Sequence, residues 1–200
     1  APAILSWMGV QGVVDPGMPA GKEVYLEALD AAGEGGVPWR VVRAGDSMNL
    51  DGIALRVLSP EAEPASPGPG DGGGGSEEGS NEGSLVLELR FGSFAALLTG
   101  DAPISAEEKF VERIRSPRVQ VLKVGHHGSG TSTSGELLER LSIESALISV
   151  GRRNRYGHPH PDVLRRLESA GARVYRTDRS GTLVLRARRD GSFRIRTGGP

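Results

Sequence analysis

The stretch LKVGHHGSGTS, residues 122–132, places His126 and His127 side by side in a loop of Gly, Ser and Thr that follows an apolar run. Two other groups of chemistry-bearing residues stand at comparable places. Asp101 closes the run AALLTG, and Asn154, Tyr156, His158 and His160 follow ALISVG. An aspartate ending an apolar strand, with imidazoles from two other loops, offers hard oxygen and borderline nitrogen donors suited to zinc, manganese or iron. Each group also has a plainer reading. Asp101 serves equally well as the cap of the turn TGDAPIS. Adjacent loop side chains point in different directions, so one of the His126–His127 pair need not be a ligand. His160 directly precedes a helix, which leaves His158, held between Gly157 and Pro159, as the better candidate. A Ser-His-Asp hydrolytic arrangement with Ser129 or Ser132 as nucleophile is disfavoured, because there is no G-x-S-x-G elbow and HHGSGTS sets its serines in a loop.

For these groups to meet, the strands that carry them must end at one edge of a sheet. Short β-rich runs alternate with helical patterns along the chain, the signature of a layered α/β fold. The first part reads as strand GVVD, helix KEVYLEALDAAG, and strands WRVVRAG and IALRVLSP. Residues 61–83, EAEPASPGPGDGGGGSEEGSNEG, have almost nothing to bury and read as a disordered insertion, with a linker between two domains as the competing reading. SLVLELRF and SFAALLTG then form a hairpin around Gly92. Ser105 with Glu108, and Thr133 with Glu136, have capping-box spacing ahead of the helices EEKFVERIR and LLERL. VQVLKV and SALISVG are buried strands. Pro161 opens the helix DVLRRLESA and Gly171 stops it, and ARVYRT, TLVLRARR and SFRIR close the chain, the last two joined through Asp190-Gly191. The three polar clusters thus fall just beyond the carboxyl ends of strands, where ligand sites of α/β sheets form.

Composition narrows the function classes. Lys plus Arg (24) nearly balance Asp plus Glu (25) in 200 residues, giving a net charge of -1 and no broad field to draw in nucleic acid. No basic stripe stands out, and aromatic residues are only 4%. The absence of cysteine excludes disulfides and thiolate zinc sites. No apolar run approaches the roughly 20 residues that cross a bilayer, and the first residues lack a basic segment followed by an apolar one. The expectation is a soluble chain without an address.

NEGSLVLEL, LLTGD, VLKVGHHGS and RNRYGHPHPDVLRRLESAGARVYRTDRSGTL, collinear from residue 81 to about 186, resemble the C-terminal metallo-β-lactamase-like domain of ComEC-type competence proteins. The resemblance implies a four-layered αββα sandwich and a metal-dependent hydrolase, a nuclease or phosphodiesterase, with two divalent ions, zinc or manganese. On this likeness Asp101 bridges the ions, and His158 or His126 is the late histidine ligand. Asn81 stands where many superfamily members carry a histidine ligand. His127 joins the catalytic group, and Ser129, Thr131, Asn154 and Tyr156 line the substrate site. The implied partners are DNA and a membrane channel domain of the same polypeptide in a bacterial inner membrane, with no strong signal for an oligomer. The superfamily's first metal motif, His-x-His-x-Asp-His, does not occur, since all four histidines lie after residue 125. The expectation is therefore a partial domain, residues 1–200, that starts just past that motif. By itself it would bind metal weakly or not at all and turn over negligibly. A non-catalytic module that assists DNA translocation, and another hydrolase of the same fold acting on a small ester or phosphodiester, are the alternatives.

Overall fold

β-Branched and leucine-rich runs of three to seven residues, broken by glycine turns, pair here in the order in which they leave the chain. The computed structural model describes residues 2–17, 23–61, 81–116 and 118–199. The chain divides into two compact units, Ala1–Arg43 and Ala44–Pro200. The expectation of disorder at 61–83 falls mostly on 62–80, outside the described residues.

The first unit contains α1 (Pro2–Trp7), β1 (Val13–Asp15), α2 (Glu23–Glu34) and β2 (Trp39–Val41). The two strands pair in parallel, Val13 opposite Trp39, with α2 as the crossover that a parallel pair requires. Ala28 and Ala32, one helical turn apart, bury against Leu5, Val13, Val37 and Trp39.

The second unit is built on a seven-stranded sheet of β3 (Ser47–Leu50), β4 (Ile53–Ser59), β5 (Val86–Phe91), β6 (Phe94–Leu98), β7 (Val121–Lys123), β8 (Ser145–Ile148) and β9 (Arg173–Arg176), in that spatial order. Pairs from β3 to β6 are antiparallel, and those from β6 to β9 are parallel. Tight turns suffice for the first kind, and helices make the crossovers of the second. These helices are α3 (Ile104–Phe110), α4 (Gly135–Arg140) and α5 (Pro161–Ser169), followed by the single turn α6 (Thr177–Ser180). β3 was not foreseen, because SMNL carries no alternation of its own and is exposed at three of its four positions.

Period-two alternation gives the sheet two buried faces. Leu58, Leu97, Leu122 and Ile148 meet Phe110, Leu137 and Leu167 of the helices. Phe94, Ala96 and Val121 face the other way, onto Leu185, Ala187 and Phe193 of a separate hairpin, β10 (Leu183–Ala187) and β11 (Phe193–Thr197). Helices, sheet and hairpin therefore form three successive layers.

Helix ends show where local signals were outweighed. α3 starts at Ile104 with Pro103 as its unassisted N-cap, and the expected Ser105–Glu108 box does not form. Ser105 instead donates to Glu82 across 23 residues. The Thr133–Glu136 box is displaced by one residue. Thr133 is left-handed (φ 59°), whereas an N-cap needs extended backbone, and Ser134 takes the role by accepting from the Leu137 amide. Pro161 and Gly171 bound α5 as expected, with the Ala172 amide reaching back to the Leu167 carbonyl.

The turn between β5 and β6 packs against the turn of the β10–β11 hairpin. Gly92 is left-handed (φ 61°), and a Cβ there would collide with the backbone carbonyl of Arg189, whose oxygen accepts from the Ser93 amide. Gly92→Ala is expected to lower stability by about 2 kcal/mol, read by urea unfolding. A change below about 0.5 kcal/mol would show that the two turns do not constrain each other.

Candidate functional site

The four parallel strands β6 to β9 run in one direction, so the loops after β6, β7 and β8 open at one edge. The structure brings Asp101, His126, His127 and His158 together there. His127 Nε2 lies 3.9 Å from Asp101 Oδ1. The ring of His126 is 6.3 Å from that of His127 and 5.7 Å from that of His158, and Tyr156 stacks on His158 at 5.9 Å. His160 serves as the N-cap of α5, its ring accepting from the Asp162 amide.

Each member is held by identifiable contacts. The Gly100 carbonyl accepts from the His126 amide (3.1 Å) and from Lys123 Nζ (3.0 Å), tying the loop after β7 to the one after β6. The Asp101 amide donates to Ser84 Oγ, and Asn81 begins the turn that presents Ser84, its carbonyl accepting from the Ser84 amide. His127 Nδ1 is 2.7 Å from the Ser149 carbonyl. A carbonyl only accepts, so Nδ1 is the donor to Ser149 and Nε2 is the nitrogen that faces Asp101. His126 differs: its Nδ1 is buried without a hydrogen-bond partner. Burial lowers the His158 pKa, helped by the neighbouring charges of His126, His127 and His160.

His126 (φ 43°) and His127 (φ 56°) are both left-handed, a conformation that costs about 1 kcal/mol or more in each non-glycine residue. The loop that forces it is tied down from within and from two helices. Ser132 Oγ donates to the Gly125 and Ser129 carbonyls. Arg166 of α5 donates to the Thr133 and Ser132 carbonyls. Glu107 of α3, only 1% exposed, accepts from the Thr133 amide at 2.5 Å and the Ser134 amide at 2.8 Å. Burial raises its pKa, opposed by these amides and by Arg166. Gly128 closes the loop where the chain after β8 arrives. At φ 83°, a Cβ would stand 2.6 Å from Pro159 Cβ.

The expected substrate-lining residues divide. Ser129 Oγ and Thr131 Oγ1 lie 3.1 Å apart beside the histidines, with Ser129 buried and Thr131 exposed. Tyr156 is 80% exposed. Asn154 is occupied by its own loop: its amide donates to the His158 and Gly151 carbonyls, and Oδ1 accepts from the His158 amide. It positions His158.

Three contributors went unrecognised in the sequence. Glu107 stands three residues before the core residue Phe110, and a charged residue at a core-facing helical position is a legible sign of a buried anchor. Lys123, half-buried at the end of β7, has its pKa lowered by burial while the Asp101 charge works the other way. Thr177 Oγ1 accepts from the Val150 amide and donates to the Val150 carbonyl, fixing the segment that presents Ser149. It lies between Arg176 and Asp178, which pair at 2.6 Å with little exposure.

Among the described residues, no group of three His, Asp or Glu side chains could hold a metal ion. Asp101 and His127 form a two-donor edge, so these residues alone do not complete the expected two-metal centre.

Glu107→Ala leaves one buried and one part-buried amide without acceptors and should cost about 3 kcal/mol, measurable by denaturant unfolding. A loss under 1 kcal/mol would show that the loop is held otherwise. The Arg176 hydrogen bond holds the Asp178 pKa below 3.8, so its stabilisation is present above that value and lost as pH falls through the lower folded-state pKa. Asp178→Asn should then cost about 2 kcal/mol at pH 7 and progressively less as pH falls below 3.8. A pH-independent difference in melting would contradict this.

No family model matches the chain. It is 39% identical over 171 residues to ComE operon protein 3 of Bacillus subtilis (strain 168), covering 84% of this chain and 20% of that protein. It is 41% identical over 109 residues to competence protein ComA of Neisseria gonorrhoeae, covering 54% of this chain and 16% of that one. It is 34% identical over 138 residues to recombination protein 2 of Haemophilus influenzae, covering 69% and 16%. The chain spans a fifth or less of these relatives. Among solved structures, the CmlA beta-hydroxylase E377D mutant, a protein of the metallo-β-lactamase fold, superposes with a TM-score of 0.52 at 10% identity over 82% of this chain and 38% of that one. Among the described residues, no helix is long and apolar enough to cross a membrane. The chain has the metallo-β-lactamase-like fold and is homologous to a segment of ComEC-family proteins.

Proposed function

We infer that residues 1–200 are part of one metallo-β-lactamase-like domain of a DNA-uptake protein, and that this domain hydrolyses phosphodiester bonds in DNA. The observation that carries the reading is His127. Its Nδ1 proton is committed to the Ser149 carbonyl, and its Nε2 faces Asp101 at 3.9 Å. An imidazole fixed in one tautomer beside a carboxylate is equipped to accept or deliver a proton at Nε2, or to act as a nitrogen ligand. Asp101 supplies a half-exposed carboxylate, and Lys123 places a cation beside it. Ser129 and Thr131 offer hydroxyl donors for phosphate oxygens on the same rim. Asp101, with His126 or His158, is the part of the metal-ligand set that this chain would contribute, with Asn81 near the Ser84 turn. The ions would be held only with further donors, for which a His-x-His-x-Asp-His sequence upstream is the expected source. The family resemblance supports a bacterial membrane protein with a channel domain in the same polypeptide as the larger setting.

A non-catalytic role in guiding DNA is favoured by one observation, the lack of a three-donor group among the described residues. A nuclease assay separates the two readings. A longer protein that includes the upstream donors should cleave labelled DNA only with added manganese or zinc. Asp101→Ala and His127→Ala should each lower the rate at least about 100-fold. Absence of metal-dependent cleavage, or full activity in Asp101→Ala, would overturn the hydrolase reading.

A further inference from the structure

The β10–β11 hairpin turns one face to the sheet and the other outward. Leu183, Leu185, Ala187, Phe193 and Ile195 are half-buried, while Val184, Arg186, Arg188, Arg194 and Arg196 between them are exposed. Register places Arg186 directly opposite Arg194, and Arg196 opposite Val184. Four guanidinium groups therefore share one face, and with Ser192 they line one shallow groove. A balanced composition concealed this stripe, because the arginines recur with a period of two in LRARR and FRIR. The expectation that no basic stripe exists is corrected here.

Like charges directly opposite on a sheet destabilise it. Even so, none of these four arginines forms an ion pair among the described residues. Asp190, the acid of the connecting turn, accepts instead from the Ser192 amide and hydroxyl. The neighbouring Arg189 shows the contrast: its guanidinium lies 4.8 Å over the Phe91 ring.

We propose that this arginine face is a docking surface for the sugar-phosphate backbone of a single nucleic-acid strand, a partner whose choice rests on the DNA-handling reading above. Guanidinium forks bind phosphate oxygens in pairs. Alternate residues of a strand are about 6.8 Å apart, a repeat comparable to the spacing of phosphates along an extended nucleic-acid strand. The face carries no aromatic or amide side chain, so binding is independent of base sequence. Its single apolar residue, Val184, gives it nothing to insert into a lipid layer.

The test is fluorescence anisotropy of a labelled 20-nucleotide single strand with the 200-residue chain in EDTA. Binding should weaken about 50-fold between 50 and 200 mM salt, the dependence of four neutralised phosphates. Replacing Arg186, Arg188, Arg194 and Arg196 together by Gln should weaken it at least 10-fold at 50 mM salt, with the melting temperature unchanged or raised. If that variant fails to fold, the pair Arg186→Gln and Arg194→Gln takes its place, with at least a threefold loss expected. The failure of this surface is read as lost binding in EDTA and that of the hydrolase as lost metal-dependent cleavage, so the two are distinguishable. A folded variant that binds DNA undiminished would overturn the proposal. So would arginine-dependent retention on phosphatidylglycerol vesicles without oligonucleotide binding.

Discussion

The buried carboxylate of Glu107 is the constraint on which the geometry of the histidine loop depends. Within nine residues the loop holds His126, His127 and Thr133 in left-handed backbone that side chains disfavour. An isolated loop of this sequence would relax. Glu107 prevents it by accepting two consecutive amides from a helix that is itself locked into the core by Phe110 and Ala106. Arg166 works from the opposite helix on the carbonyls of the same segment. Opposite charges on two helices thus clamp the donors and acceptors of one loop. Burying such groups is tolerable because their hydrogen bonds are made.

The second layer of control lies in backbone carbonyls. The oxygen of Gly100 joins His126 and Lys123, and that of Ser149 sets the tautomer of His127. Carbonyls at strand ends are natural tools for this, since the parallel ladder leaves them pointing out of the sheet edge. The Thr177 hydroxyl then holds the Ser149 segment in place, and Asn154 does the same for His158. Most polar residues in these motifs therefore orient an imidazole, directly or at one remove.

Much of this was legible in the sequence, for reasons that differ by element. The β5–β6 hairpin, the strands after it and the bounds of α5 follow from strong local chemistry: Gly92, the alternation around it, Pro161 and Gly171. That the three polar clusters share an edge follows from the handedness and parallel pairing of β-α-β units. What could not be read were long-range choices. Ser105 has an exposed acid 23 residues away to bond, and takes it over a helix cap. Which of two adjacent histidines turns toward Asp101 depends on a carbonyl contributed 22 residues later. The outward arginines of the last hairpin were visible as letters, but their common face appears only once the register is fixed.

The order of strands across the large sheet repeats their order along the chain, from β3 to β9 without exception. Every strand after the first therefore docks on a neighbour that was synthesised before it, and no strand has to be inserted between two already joined. Such a sheet can grow from one side during translation, its free border always the youngest strand. The pairing that closes the histidine edge is then among the last to form, so a truncated or stalled chain exposes that border before the site is assembled.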